Sequence, residues 1–269
     1  MDNPRAERVR AVRALTQRAV RRRTGRFLVE GPQAVREAVD VARVHDLYAT
    51  PDAAARYVEV VERAEERGVP VRLGTPEVLD AMSPDAQGLV AVADQLGTSL
   101  TDVLGGRPRL VAVLAHVRDP GNAGTVIRAA DAAGADGVVL TDESVDVHNP
   151  KVVRSTAGSL FHLPVATGAR LDDAVAALHH AGLQVLAADG TGEHDLDDLL
   201  DVAGSGPAGL PDLARPTAWV FGNEAWGLRD EDRALADAVV RVPLRGRAES
   251  LNLATAATVC LYASGRAQR

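Results

Sequence analysis

The chain has 269 residues, 46% hydrophobic and 25% charged, with 37 acidic side chains against 30 basic ones and a formal net charge of −7. This is the profile of a globular protein of one or two domains, and it excludes a nucleic-acid binder that works by bulk positive charge. A single cysteine, Cys260, excludes an intrachain disulfide and a thiolate-rich metal site. Aromatic content of 3% is too low for the stacking platforms of RNA-recognition modules.

Charge is unevenly placed. Residues 1–26 hold nine arginines (Arg5, Arg8, Arg10, Arg13, Arg18, Arg21, Arg22, Arg23 and Arg26) against Asp2 and Glu7, a local +7, which leaves −14 on the remainder. Val9, Val12, Leu15, Ala19 and Val20 fall near helical spacing, so one basic amphipathic helix is predicted up to Thr24-Gly25. Its charged face is either solvated or a ligand for RNA phosphates, with Arg21, Arg22 and Arg23 as the candidate contacts.

From Phe27 the pattern alternates: a strand at "FLVEG", a helix opening on Pro32, a strand at "VHDLYAT", and a helix through "AARYVEVVERAEERG" that stops at Gly68. "VPVRLG", a short helix near "PEVLDAM" and the strand "GLVAVAD" complete a small α/β domain over 27–94. "QLGTSLTDVLGGRP", 95–108, breaks the periodicity and is predicted as a linker. Over 109–269 the apolar runs "RLVAVLAHV", "DGVVLT", "LPVAT", "LQVLAAD", "TAWVFG" and "AVVRVPL" predict a mostly parallel sheet covered on both faces. "GSGPAGLPDLARP", 204–216, reads as a surface loop, and the acidic run "EHDLDDLLD" as a solvated loop or helix face. No apolar run approaches the roughly 20 residues of a membrane helix, and the Arg-studded start lacks a signal peptide's apolar stretch, so a cytoplasmic protein is expected.

In an open parallel sheet, ligands sit beyond the carboxyl ends of the strands. Three strand-ending segments carry chemistry. "RDPGNAGTVIRAADAAGAD", 118–136, is a tight turn and a helix start with Arg128 expected about one turn in, which suits an anion; Asn122 either caps that helix or serves the site. "VFGNEAWGL", 220–228, sets Gly222 and Gly227 around Glu224 and Trp226, so that a ligand can approach the backbone closely. "VRVPLRGRAESLNLATAATVCLYA", 240–263, ends a strand in Arg245, Gly246, Arg247 and Glu249, then opens a helix at Ser250 and Asn252, where Ser250 is the candidate cap. None of the spacings fits a dinucleotide or P-loop fingerprint.

Together these segments resemble the three ordered motifs of the SpoU (TrmH-like) 2′-O-ribose RNA methyltransferases of the SPOUT superfamily. The resemblance covers 109–266, and "FLVEGPQAVREAV" resembles the start of that family's N-terminal substrate-binding domain. The "AW" between Glu224 and Gly227 falls where related sequences vary. The resemblance implies an α/β catalytic domain with a deep trefoil knot, a smaller N-terminal α/β substrate-binding domain, S-adenosylmethionine as cofactor, and a homodimer with its active site near the subunit interface. It implies catalytic roles for Arg128, Asn122, Glu224, Ser250 and Asn252, and cofactor contacts at Gly222, Val242, Leu244, Leu251 and Asn252. Arg154, in "HNPKVVRSTAG", is implied as an RNA contact.

The implied reaction is 2′-O-methylation of a ribose in structured RNA, with 23S ribosomal RNA ahead of transfer RNA. A non-catalytic RNA-binding or assembly protein on the same fold is the alternative. A guanidinium is a poor base in isolation, so Arg128 is expected to grip phosphate and ribose, and the proton acceptor is left open between an RNA phosphate, Glu224 and Arg128. The histidines lack metal-ligand spacing and no metal is expected.

Overall fold

The computed structural model describes residues 1–206 and 209–269, and the chain divides into two compact units. The first comprises Met1–Leu96 with Asp146–His162, the second Gly97–Val145 with Leu163–Arg269. Within the first unit the basic N-terminus forms two helices, α1 (Glu7–Ala14) and α2 (Arg18–Thr24), where one was predicted. The break has a use. Carbonyls of Leu15 and Thr16, freed from helical bonding, accept from Arg21 Nη1 at 2.9 and 2.8 Å. Val9, Val12 and Leu15 are buried against the sheet's Leu28, Tyr48 and Val90, so the segment is part of a core and not a free arm.

β1 (Arg26–Glu30), α3 (Pro32–Val41), β2 (Val44–Ala49), α4 (Pro51–Arg56), α5 (Val58–Glu66), β3 (Val71–Leu73), α6 (Pro76–Met82) and β4 (Leu89–Asp94) follow. The predicted helix ending at Gly68 is interrupted at Tyr57 and so becomes α4 and α5. The sheet runs β1-β4-β2-β3, antiparallel at β1/β4 and β4/β2 and parallel at β2/β3.

In the predicted linker, Ser99 and Asp102 form a capping box that starts α7 (Leu100–Gly105), whose Val103 is buried in the second unit's core. β5 (Leu110–Leu114), α8 (Pro120–Ala133), β6 (Gly137–Thr141) and α9 (Pro150–Ser155) come next, then β7 (Val165–Ala169), α10 (Leu171–His180) and β8 (Gln184–Ala188). The acidic run makes a two-residue strand, β9 (His194–Asp195), and α11 (Leu196–Asp201), burying Leu196 and Leu199 while its carboxylates stay outside or half-buried. β10 (Thr217–Phe221), α12 (Asp230–Arg233), β11 (Ala238–Arg241) and α13 (Leu253–Ala267) complete the chain. Of the predicted loop 204–216, Pro207 and Ala208 lie outside the described residues, and Leu213 is buried.

The seven strands are parallel, in the order β7-β6-β5-β10-β8-β11-β9. Their continuous Val, Leu and Ala runs fit a sheet buried on both faces. The chain leaves β5 toward β6 and β7 on one side, with β10 on the other, so the loops after β5 and β10 diverge at a switch point. α13 packs on α8, and a Cβ at Gly265 would lie 2.6 Å from the Ala133 carbonyl. Buried Trp219 of β10 donates to Ser264 Oγ of α13 at 2.9 Å.

The segment 146–162 lies between β6 and β7 in sequence yet belongs to the first unit. Asp146 accepts from Arg21 Nη2 at 2.6 Å and Nε at 3.0 Å. His148 and Phe161 pack on Phe27, and His148 Nε2 accepts from the Leu96 amide at 3.0 Å. Arg154, on α9, pairs with buried Glu30 and with Asp85 at 2.7 Å. Burial pushes the Asp146 carboxyl up, but the Arg21 hydrogen bond and charge outweigh it and hold it below its ordinary value. Burial draws the His148 imidazole down to about 4, against the opposing charge of Asp146.

Candidate functional site

At the end of β10, Gly222 and Asn223 enter a tight hairpin closed by the Asn223–Gly227 backbone pair, at 2.9 and 2.8 Å. A Cβ on Gly222 would stand 2.3 Å from the Gly227 carbonyl carbon, so no other residue fits without moving the hairpin. Gly227, at φ +69°, supplies the left-handed turn. Asn223 is buried; its Nδ2 donates to the His116 carbonyl at 2.6 Å, and its Oδ1 accepts from the Ala225 amide at 2.8 Å. Glu224 then reaches the loop after β5, accepting the amides of Arg118 at 3.3 Å and Asp119 at 3.0 Å. One carboxylate therefore fastens two of the three sequence segments together.

Asp119, not Asn122, caps α8, accepting the Asn122 amide at 2.7 Å, with Pro120 in the first turn and Gly134 ending the helix at φ +78°. Asn122 keeps its side chain for the third segment: its Oδ1 accepts from Asn252 Nδ2 at 3.0 Å. Asn252 is itself the cap of α13, accepting from the Ala254 amide at 2.9 Å and the Thr255 amide at 3.4 Å. Ser250, the expected cap, precedes the helix and is exposed. Arg128 is the ninth residue of α8, a little over two turns in and so about one turn deeper than the sequence placed it. It is exposed and makes no ion pair among the described residues.

The loops after β8, β10 and β11 enclose a cleft of about 340 Å³. Gly222, Glu224, Val242, Leu244, Ser250 and Leu251 all line it. Leu244 and Leu251 expose 41% and 36% of their surface, an arrangement suited to apolar ligand contact in a concave site. Asn122 and Asn252 are not among its lining residues; their hydrogen bond joins the first segment to the third, and Arg128 is also outside the lining.

Asp189 and Gly190 after β8 also line the cleft and were missed. Their one signal is position, at the end of an apolar strand in "LQVLAADG". Burial pushes Asp189 up, but Thr191 and Arg233 outweigh it and hold the carboxyl below its ordinary value.

Two of the expected RNA contacts are engaged within the fold. Arg21 is 1% exposed, and its guanidinium is occupied by Asp146 and two carbonyls. Arg154 has its charge matched by Glu30 and Asp85. Arg22 and Arg23 are exposed, without ion pairs among the described residues, as are Arg10, Arg13, Arg18 and Arg26. Arg245 pairs with Asp197 at 2.6 Å. Burial pushes the Cys260 thiol up to about 12, which leaves it unreactive. Among the described residues no group of three or more His, Cys, Asp or Glu could hold a metal ion, and no helix is long and apolar enough to cross a membrane.

Comparison with known proteins gives two family matches: the SpoU rRNA methylase family over residues 109–262 and the MRM3-like substrate binding domain over residues 6–91. A 23S rRNA (uridine(2479)-2′-O)-methyltransferase of Streptomyces viridochromogenes is 41% identical over 150 residues, 55% of this chain and 49% of that protein. The 23S rRNA (guanosine(2553)-2′-O)-methyltransferase RlmP of Bacillus subtilis is 30% identical over 97% of both chains. The crystal structure of an AdoMet-bound rRNA methyltransferase from Sinorhizobium meliloti superposes with a TM-score of 0.84 at 32% identity, covering 99% of this chain and 97% of that one.

Proposed function

The chain belongs to the SpoU rRNA methylase family, and from that premise we propose that it methylates the 2′-hydroxyl of a ribose in 23S ribosomal RNA, using S-adenosylmethionine. The observation that carries this reading is that the second and third segments line one cleft while the first is fastened to both of them, by Glu224 and by the Asn122–Asn252 hydrogen bond. A binding protein has no need of such an assembly. The 23S rRNA enzymes among its relatives support ribosomal over transfer RNA.

The cleft fits the cofactor on its own features. Gly222 and Gly227 line it without side chains, Val242, Leu244 and Leu251 supply apolar walls, and Asp189 and Ser250 supply polar atoms. S-adenosylmethionine brings an electrophilic methyl group on a sulfonium. The protein's task is then to orient the acceptor oxygen and see its proton removed.

The side chains divide by availability. Glu224, Asn122 and Asn252 are engaged with one another's loops, so we assign them to positioning. Ser250 and Arg128 have no hydrogen-bond partner among the described residues and are left for substrate. Helical side chains lean toward the N-terminus, which carries the Arg128 guanidinium back toward the loop end of α8. There it would hold the acceptor's phosphate and ribose, with an RNA phosphate oxygen the proton acceptor we favour. A homodimer is proposed through α13, whose Val259 and Tyr262 are 40% and 48% exposed on one helical face with Thr255. The proposed compartment is the cytoplasm, where ribosomal RNA lies.

The test is transfer of labelled methyl groups to total RNA from a strain lacking the gene, mapped at nucleotide resolution. One 2′-O-methylated position in 23S rRNA is expected, reduced at least about 100-fold by Arg128→Ala with S-adenosylmethionine affinity retained. Cofactor binding without transfer to any RNA, protein-free or ribosome-assembled, would overturn the enzymatic reading.

A further inference from the structure

Trp226 stands at the tip of the Asn223–Gly227 hairpin with 43% of its surface in water, while the other tryptophan, Trp219, is fully buried. Leaving an indole in solvent forgoes the stabilisation that burying it would give. Two guanidinium groups lie over its ring: the Arg118 carbon at 5.3 Å from the centroid and the Arg229 carbon at 6.0 Å. Among the described residues both arginines form ion pairs that are exposed, Arg118 to Glu143 at 3.8 Å and Arg229 to Glu231 at 3.4 Å. Such pairs are weak in high dielectric and exchange readily.

The cluster is nonetheless fixed in place. Glu224, two residues before the indole, accepts the amides of Arg118 and Asp119, so the hairpin tip and the loop after β5 form one piece. Ala225 and Gly227, the immediate neighbours of Trp226, line the cofactor cleft. A flat aromatic face with two cationic forks therefore stands at the rim of the reaction site. Stacked π-face and adjacent phosphate are what a nucleotide with an unpaired base presents; a duplex keeps its base faces stacked and hidden.

We propose that Trp226, flanked by Arg118 and Arg229, is a stacking platform for an unpaired base of the RNA next to the nucleotide being methylated, the arginines taking the adjoining phosphates. This rests on the RNA methyltransferase reading and narrows its substrate class to acceptors in single-stranded loops. Glu143 and Glu231 give up their arginines to phosphate when RNA binds.

Intrinsic fluorescence isolates the platform, because Trp219 is shielded. A short single-stranded oligoribonucleotide should quench the emission, the same sequence in a blunt duplex should not, and Trp226→Phe should abolish the response. In methyl transfer, Trp226→Ala should raise the KM for RNA roughly 10- to 100-fold, with kcat and cofactor affinity within about two-fold, and Trp226→Phe should recover most of the loss.

An unchanged KM in Trp226→Ala, or equal quenching by the duplex, overturns the proposal. So does a blue-shifted difference emission between the free wild type and Trp226→Phe together with dissociation of a dimer by Trp226→Ala, which would make the residue a subunit contact. If the wild-type protein methylates no RNA, the enzymatic reading fails, and the quenching titration still decides the platform.

Discussion

The two units use charge in opposite ways. In the first, arginines meet carboxylates inside the fold: Arg21 with Asp146 and Arg154 with Glu30 join stretches of chain more than 120 residues apart in sequence. In the second, backbone at Gly222 lines the cleft, amide and carboxamide ties join its loops to the loop after β5, and Arg128, outside the cleft, is exposed and makes no ion pair among the described residues. An arginine-rich segment is therefore a poor guide to function by count. What matters is which guanidinium groups the fold has already occupied.

The sharpest way to break this contrast is Arg21→Met. It leaves Asp146 half-buried without its partner and the Leu15 and Thr16 carbonyls without a donor, so a loss of about 3–5 kcal/mol is expected. Urea unfolding followed by circular dichroism measures it. Adding Asp146→Leu should return much of the loss, since an apolar pair can replace a buried ion pair. A loss below about 1 kcal/mol would mean that the pair behaves like a surface contact and that the first unit is not tied together by charge.

A smaller effect is expected from His148 and is set by pH. Its folded pKa, about 4, lies below the ordinary 6.5, so the unfolded chain takes up a proton that the fold refuses. The contribution is fully present above pH 6.5 and is lost as pH falls toward 4, by about 2 kcal/mol at pH 5 and about 3 at pH 4. Asp146, held below its ordinary value, gives way only in a lower window, below pH 3.8. His148→Gln keeps an acceptor for the Leu96 amide and removes the titration. Its unfolding free energy should therefore fall less than the wild type's between pH 6.5 and 4, and parallel curves would contradict the assignment.

The same contrast explains what could be read from the amino acids. Strands were legible because burial on both faces writes itself as continuous apolar runs, and the cleft was legible where its walls carry a local signal, as at Gly222 and in the loop after β11. Partners distant in sequence were not. Nothing near Asp146 announces Arg21, and nothing in "HNPKVVRSTAG" says that α9 belongs with β1. The linker was misread because Gly-Gly and Pro outweighed the Ser99–Asp102 capping signal that starts α7. In "AESLN" either Ser250 or Asn252 could cap, and Asn252 takes the role because its carboxamide can accept two helix amides while donating to Asn122. Asp189 carries no motif at all; only the order of strands places it beside Gly227.

The finest test separates free arginines from occupied ones. Arg22 and Arg23 extend from α2 into solvent without ion pairs among the described residues, so replacing both with glutamine should leave stability and cofactor affinity unchanged while weakening RNA binding about 10-fold near 0.1 M salt. The slope of log affinity against log salt should shrink by about 0.7–0.9 for each RNA phosphate that is no longer neutralised. Arg154→Gln should do the reverse. It strands buried Glu30, so its cost should appear in unfolding, and its salt slope should match the wild type's. An unchanged slope in the Arg22/Arg23 variant would reduce the basic face of α1 and α2 to a solvated surface, and would move the search for RNA-binding groups to the arginines around Trp226. A shallower slope in Arg154→Gln would show that RNA can draw this arginine away from Glu30 and Asp85, so that occupation within the fold is not a bar to function.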